Sequence, residues 1–238
     1  MSSEQTPRWG NEYRERKAEL IFNTIKAVTY KDISCLDWLD VGCGSGGIAA
    51  SLASEVNSMI GCDPEPWAQW SDLQQQHNNL DFVQGCFDLP SIPVPAETVD
   101  IVVCNQVYEH VENAQTLIKN IYSVLKPGGI CYFAGPNLLW PVEPHVFWPF
   151  VHWMPRTAAQ KIIRFFNNEA ILDAYSTTSW VLKKYFLSVG FTFENIIHHR
   201  VIAAKPALQH IAPLLKVVSN LTLPLMPGFV FILKKPND

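Results

Sequence analysis

Leu36-Asp37-Trp38-Leu39-Asp40-Val41-Gly42-Cys43-Gly44-Ser45-Gly46-Gly47 is the stretch whose reading decides the fold. An apolar run closes on an acid, breaks into four glycines within six residues, and passes into a helix-like segment at 48–56 with Ile48, Leu52 and Val56 on one face. The pattern predicts a strand, a tight turn and a helix. Glycine permits positive φ and lets the backbone lie against a ligand with no β-carbon between them, so the turn suits the holding of a small molecule. Two cofactor patterns fit it equally. Gly42, Gly44 and Gly47 satisfy the dinucleotide spacing G-x-G-x-x-G, while Gly42, Gly44 and Gly46 satisfy G-x-G-x-G with Asp40 two residues ahead.

Working outward, Ala18, Ile21, Phe22, Ile25 and Val28 recur at helical spacing and predict an N-terminal helical segment over 12–30. Downstream, 58–63 reads as a short strand ending on Asp63, and Pro64 and Pro66 open a polar helix over 67–77. A brief strand at 80–84 leads to Phe87-Asp88, and 99–104 is the strongest β-branched run. Leu117, Ile118, Ile121, Tyr122 and Leu125 share one side of a helix over 113–125, which stops at Lys126-Pro127-Gly128-Gly129 before a strand at 130–134. Such alternation predicts an α/β fold: a doubly wound, mostly parallel seven-stranded sheet covered on both faces. Between 136 and 175 the rhythm breaks into Trp and Phe interleaved with Pro, which predicts an inserted aromatic, helical lid. Beyond it a helix is expected over 176–189 with Gly190 at its stop. Strands are expected at 191–201 and 229–234, and a helix near 208–219 in the link between them. The whole chain, 1–238, is read as one domain.

The 238 residues, 48% hydrophobic and 17% charged, suffice for one well-filled core. A net charge of −4 gives no broad attraction for phosphate backbones, so no nucleic-acid partner is expected. The six cysteines stand singly in or beside apolar runs with no C-x-x-C pair and are read as buried thiols in a reducing cytoplasm. Residues 1–16 mix both charge signs without an apolar segment, unlike a signal peptide. No run reaches the roughly 18 to 20 apolar residues of a spanning helix, because Pro224, Pro227 and Gly228 interrupt the nearest one.

The ordered set of Asp40 with its glycine turn, Asp63, Asp88, Glu109-His110 and residues 125–129 resembles the class I S-adenosylmethionine (SAM) dependent methyltransferases, in their small-molecule, type 11-like branch. The resemblance implies a Rossmann-like methyltransferase fold and SAM as cofactor. It assigns Gly42, Gly44 and Gly46 to the methionine and ribose portions, Asp40 to the amino group, Asp63 to the ribose hydroxyls and Asp88 to the adenine amino group. Pro64 and Phe87 accompany those two acids in the cofactor-binding set, and Asn105 and Gln106 line the space beside the sulfonium. Asp63 and Asp88 also have a plain reading as solvated caps of a turn or helix, which the ordered company of motifs outweighs. In the ubiquinone-pathway O-methyltransferases a similar segment carries a second Glu three residues before the Glu-His, able to hold a divalent metal. Here Gln106 stands there, and no metal is expected.

A small, partly hydrophobic acceptor methylated at oxygen is the expected substrate, with amine or carbon methylation as the alternative. A hydroxyl nucleophile needs its proton removed, a task for His. His145 and His152 of the lid are the candidates, with His110 at the cleft edge, and packing or capping is the plain reading of all three. Arg156, Lys161 and Arg164 accompany the lid aromatics, so peripheral membrane contact through the lid is a further expectation. Asn105-Gln106-Val107-Tyr108 lacks the prolines of DNA amino-methyltransferases. The rivals are a nicotinamide oxidoreductase, against which stands the position of the glycine turn well inside the chain, and a catalytically silent binding partner on the same fold.

Overall fold

A computed structural model describes residues 11–143, 147–166 and 174–237. The elements run α1 (Asn11–Val28), β1 (Asp37–Val41), α2 (Gly47–Ala53), β2 (Ser58–Asp63), α3 (Gln69–Gln76), β3 (Leu80–Gln84), β4 (Val99–Asn105), α4 (Ala114–Val124) and β5 (Leu125–Pro136). They continue with α5 (Arg156–Phe166), α6 (Ser179–Val189), β6 (Thr192–Asn195), α7 (Ile197–Ala204), α8 (Ala212–Thr222) and β7 (Gly228–Lys234). The seven strands form one sheet in the order β3-β2-β1-β4-β5-β7-β6, parallel except where β7 pairs with β5 and β6.

Alternation along the strands sorts the core into two layers. Trp38, Met59, Ile101, Val103 and Tyr132 face α1 and α2. Leu39, Val102, Cys104, Cys131 and Phe133 face α4 and α6. Burial on both faces explains why apolar residues stand consecutively at Trp38 and Leu39 in β1 and from Ile101 to Cys104 in β4. The capping is legible too: Asn113 accepts from the Thr116 amide at the start of α4, Thr178 from the Val181 amide at the start of α6, and Gly190 closes α6 at φ +100°. Among the described residues, no helix is long and apolar enough to cross a membrane.

Several boundaries differ from expectation. The predicted strand over 191–201 ends at Asn195, whose Oδ1 accepts from the Ile197 amide at 3.1 Å and turns the chain into α7. The β-branched Ile197, Val201 and Ile202 are the cause of the misreading, since β6 is an edge strand with β7 as its single partner. Residues 125–129, expected as a helix stop, already belong to β5, with Gly128 at φ +71° and a register shift opposite Val99 and Ile101. The link helix falls at 212–222, behind a 3-10 turn at Pro206–Ile211. Cys35 is exposed and Cys86 half-buried, so four of the six thiols are buried, not all.

In the lid, α5 and the 3-10 turn Val151–Trp153 close on a small core of Val151, Ala159 and Ile163 with Trp148 against it. Its base is tied down by Asn137, whose Nδ2 donates to the carbonyls of Leu223, Pro224 and Met226.

Candidate functional site

From β1 the chain winds outward through β2 to β3, then returns to place β4 on the other side of β1. Open α/β sheets carry their ligand sites at such a switch point, beyond the carboxyl ends of the strands. The glycine turn lies there. Gly46 has φ +83°, and a β-carbon on it would stand 2.4 Å from Phe82 Cζ. Gly44, at φ +53°, would meet nothing within 4 Å, so its backbone faces open space. The Gly44 peptide is pinned from two sides: its N–H donates to Asp63 Oδ2 at 2.8 Å, and its carbonyl accepts from Trp70 Nε1 at 2.8 Å. Trp70 in turn stacks on Phe82, with ring centroids 4.9 Å apart and planes 8° from parallel.

Two buried polar atoms at the strand ends lack any hydrogen-bond partner among the described residues: Asp40 Oδ2 on β1 and Asn105 Oδ1 on β4. Both residues lie on the α1 and α2 side of the sheet, in register with Trp38 and Val103 respectively. Burial, with the nearby Asp63 charge, pushes the Asp40 carboxyl up to about 8. Unsatisfied buried polar groups are costly, and a cationic or donor group brought to this point answers both. Asp63 is also raised by burial, while the N–H groups of Glu65 and Gly44 hold it down. It keeps acceptor capacity for a ligand's hydroxyls.

Two cavities meet at Gln106. One of about 370 Å³ is lined by Val41, Gly42, Asp63, Pro64, Phe87 and Asp88, with His110 at its edge. The other, about 720 Å³, lies over the ends of β4 and β5 among Asn105, Gly135, Arg200, Met226 and residues of α1. Gln106, held at φ +61° with its N–H donating to the Ala134 carbonyl at 2.8 Å, lines both. The structure thus brings Gly42, Asp63, Pro64, Phe87, Asp88 and Gln106 to one cavity, with Gly44 and Asp40 beside it. Asp88 Oδ2 accepts from the Glu112 amide at 3.1 Å, which fixes it across the cleft from Asp63.

The histidines separate. His145 lies outside the described residues. His152 Nε2 is 3.0 Å from the Leu138 carbonyl and 2.9 Å from that of Trp140. Two carbonyls require a hydrogen on Nε2, so this nitrogen serves as a strut. His110 stands on the smaller cavity, away from the larger one. No described lid residue lines either cavity. Among the described residues no group of three or more His, Cys, Asp or Glu could hold a metal ion. Sequence reading missed Trp70, taken as part of a polar helix, and Arg14, whose Cδ lies 2.5 Å from where a β-carbon on Gly47 would stand. The Trp70 indole beside the acid-ended strand was the available signal for the first; Arg14 gave none among its charged neighbours.

Residues 39–133 match the family model described as Methyltransferase domain. A ubiquinone biosynthesis O-methyltransferase of Rickettsia typhi is 36% identical over 124 residues, which are 51% of this chain and 49% of that protein. The mitochondrial ubiquinone biosynthesis O-methyltransferase of Rattus norvegicus is 34% identical over 45% of this chain and 32% of its own length. The matched region thus spans about half or less of these curated relatives. An S-adenosylmethionine dependent methyltransferase from Mesorhizobium loti superposes with TM-score 0.59 at 15% identity, covering 91% of this chain and 97% of that one. The [4+2]-cyclase SpnF superposes at 0.60 and 18% identity over 99% of this chain and 86% of its own. A cyclase on the same sheet is a reminder that fold alone does not select chemistry. The glycine turn, the order of acids on the strand ends and the sheet order agree with that match: over residues 39–133 the chain is similar to the methyltransferase domain family, and its sheet has the Rossmann-like methyltransferase fold.

Proposed function

We propose that the protein transfers the methyl group of SAM to a hydroxyl of a small, partly apolar acceptor. The observation that carries this reading is Gln106, which lines two cavities of different character at the switch point. The smaller holds the nucleoside, with Asp63 accepting from the ribose hydroxyls and Asp88 from the adenine amino group, beside Pro64 and Phe87. Asp40 and Asn105 face the amino group, and Arg14 is the cation available to the carboxylate. Bound there, the cofactor supplies an electrophilic methyl on a sulfonium. The protein's part is to align acceptor oxygen and methyl across Gln106 and to exclude water. The larger cavity takes the acceptor, walled by Gly135, Met226, Gly228 and Phe229.

Methylation at oxygen is supported by the names of the relatives, and phenols and catechols, small apolar molecules that carry a hydroxyl, are the first acceptors to assay. His145 is the base we assign to the acceptor hydroxyl. The single domain over 1–238, with its lid at 136–175, is taken as the functional unit, and the residues across both cavities as its site.

Calorimetric titration with SAM, its demethylated product and NADH tests the cofactor. SAM and its product should bind and NADH should not; NADH binding without a response to SAM overturns the proposal. Methyl transfer from radiolabelled SAM to a panel of phenols, catechols and amines then tests the acceptor. Label entering amines alone excludes the hydroxyl. At saturating SAM, His145→Ala should lower turnover about 100-fold or more, the usual contribution of a positioned general base.

A further inference from the structure

The helical unit formed by α7 and α8 is built inside out. Ser219 is the buried residue of α8, while Leu214, Val217, Val218 and Leu221 stand between 44% and 75% exposed. Spacings of three and four place these four on one stripe, and Leu225 in the following turn, 73% exposed, extends it. A stripe of large apolar side chains turned to solvent is informative in a way that a scattered exposed leucine is not.

Charge says what covers it. The chain carries 22 acids and a net charge of −4, yet from 195 to 237 there is no Asp or Glu. The same segment exposes Arg200, Lys205 and Lys234, while Lys216 is paired with Glu194 and Lys235 is buried against Glu97. A second copy would bring like charge to like charge, whereas an anionic lipid surface answers both the stripe and the cations. The position supports the same partner. Arg200 and Val201 of α7, with Met226 just past Leu225, line the larger cavity, so the cavity wall and the apolar stripe belong to one unit. The lid aromatics differ, because they pair with one another: Phe166 lies tilted against Trp148 and edge-on to Phe165, with centroids 4.8 and 4.9 Å away.

We propose that the outer face of α8, extended by Leu225, docks on an anionic lipid surface and presents the larger cavity to it. This needs no cofactor and does not rest on methyl transfer.

The test is flotation of the full chain, without SAM, on vesicles of equal parts phosphatidylglycerol and phosphatidylcholine and on phosphatidylcholine alone. The protein should float with the anionic vesicles, stay behind with the neutral ones, and be released by high salt. Leu221→Asp with Leu225→Asp should lower the bound fraction at least about tenfold, since both exchanges put charge into the lipid contact. The milder pair Leu214→Ser with Val217→Ser carries the same expectation should the first pair fail to fold. No flotation on the anionic vesicles overturns the proposal. So does flotation that survives the α8 exchanges but is lost on Phe165→Ser with Phe166→Ser in the lid. A dimer in lipid-free sedimentation, broken by the α8 exchanges, overturns it in favour of a second copy.

Discussion

Asp40 occupies a position where a carboxylate is expensive. It is 3% exposed, Oδ2 has no partner among the described residues, and Asp63 sits close enough to add its charge. With its pKa at about 8, the group is mostly protonated in the free protein at neutral pH. A cationic amino group arriving there favours the ionised form, so binding releases a proton. SAM affinity should therefore rise about tenfold between about pH 6 and 7, and the enthalpy should vary with the ionisation heat of the buffer. Asp40→Asn should bind more weakly and show neither dependence; a flat profile for the unaltered protein removes Asp40 from the amino-group site. The acid was legible because a carboxylate two residues before a glycine turn is a compact local pattern. Its protonation was not, because burial comes from α1 and the neighbouring strands. The partner of Trp70 was illegible for the same reason: its bond to the Gly44 carbonyl spans 26 residues.

At the scale of elements, the reading succeeded where local sequence and tertiary environment agree. The strands β1, β2 and β4 sit within the sheet, each flanked by turn-forming residues, while β3, at one edge, was legible from its flanking turns. It failed at the β6 edge, where the β-branched residues after Asn195 belong to α7 and an Asx turn outranks propensity. The lid illustrates a third case. Its composition announced an insertion, but not what fastens it, because one fastener, the side chain of Asn137, reaches to 223–226, more than 80 residues on. That amide is 3% exposed and satisfies three carbonyls that have few alternatives. Asn137→Ala should cost about 1–3 kcal/mol in urea unfolding and raise the protease sensitivity of the lid. Loss of neither stability nor protection would show that the lid base is held by other contacts.

The whole molecule carries two opposed pH dependences. Asp37 is held below its ordinary value first by the hydrogen bond from Lys126, at 2.8 Å, with smaller help from Ser58 and Asn57 against the opposing cost of burial. A depressed acid stabilises above its unfolded value, and that contribution is lost as pH falls through the lower folded value. Lys126 also bonds Asp100 at 2.8 Å, so one cation serves two carboxylates at the amino end of the sheet. Asp40 has the contrary sign. Its folded value, about 8, lies above the unfolded one near 3.9, so its neutral form stabilises fully below the unfolded value. That contribution drains away as pH rises through the folded one, at up to about 1.4 kcal/mol per unit. The free protein should thus lose stability on the acid side below pH ~4 through Asp37, and progressively from pH ~4 to ~8 through Asp40. Urea unfolding across pH 3 to 8 reads both. Lys126→Met should lower stability and remove the acid limb; Asp40→Asn should flatten the upper one. Saturating SAM should flatten it too, since a bound cation relieves the ionised carboxylate that the empty fold resists. A slope between pH 5 and 8 that survives Asp40→Asn would place its origin in another buried acid, with Asp63, also raised by burial, the first to test.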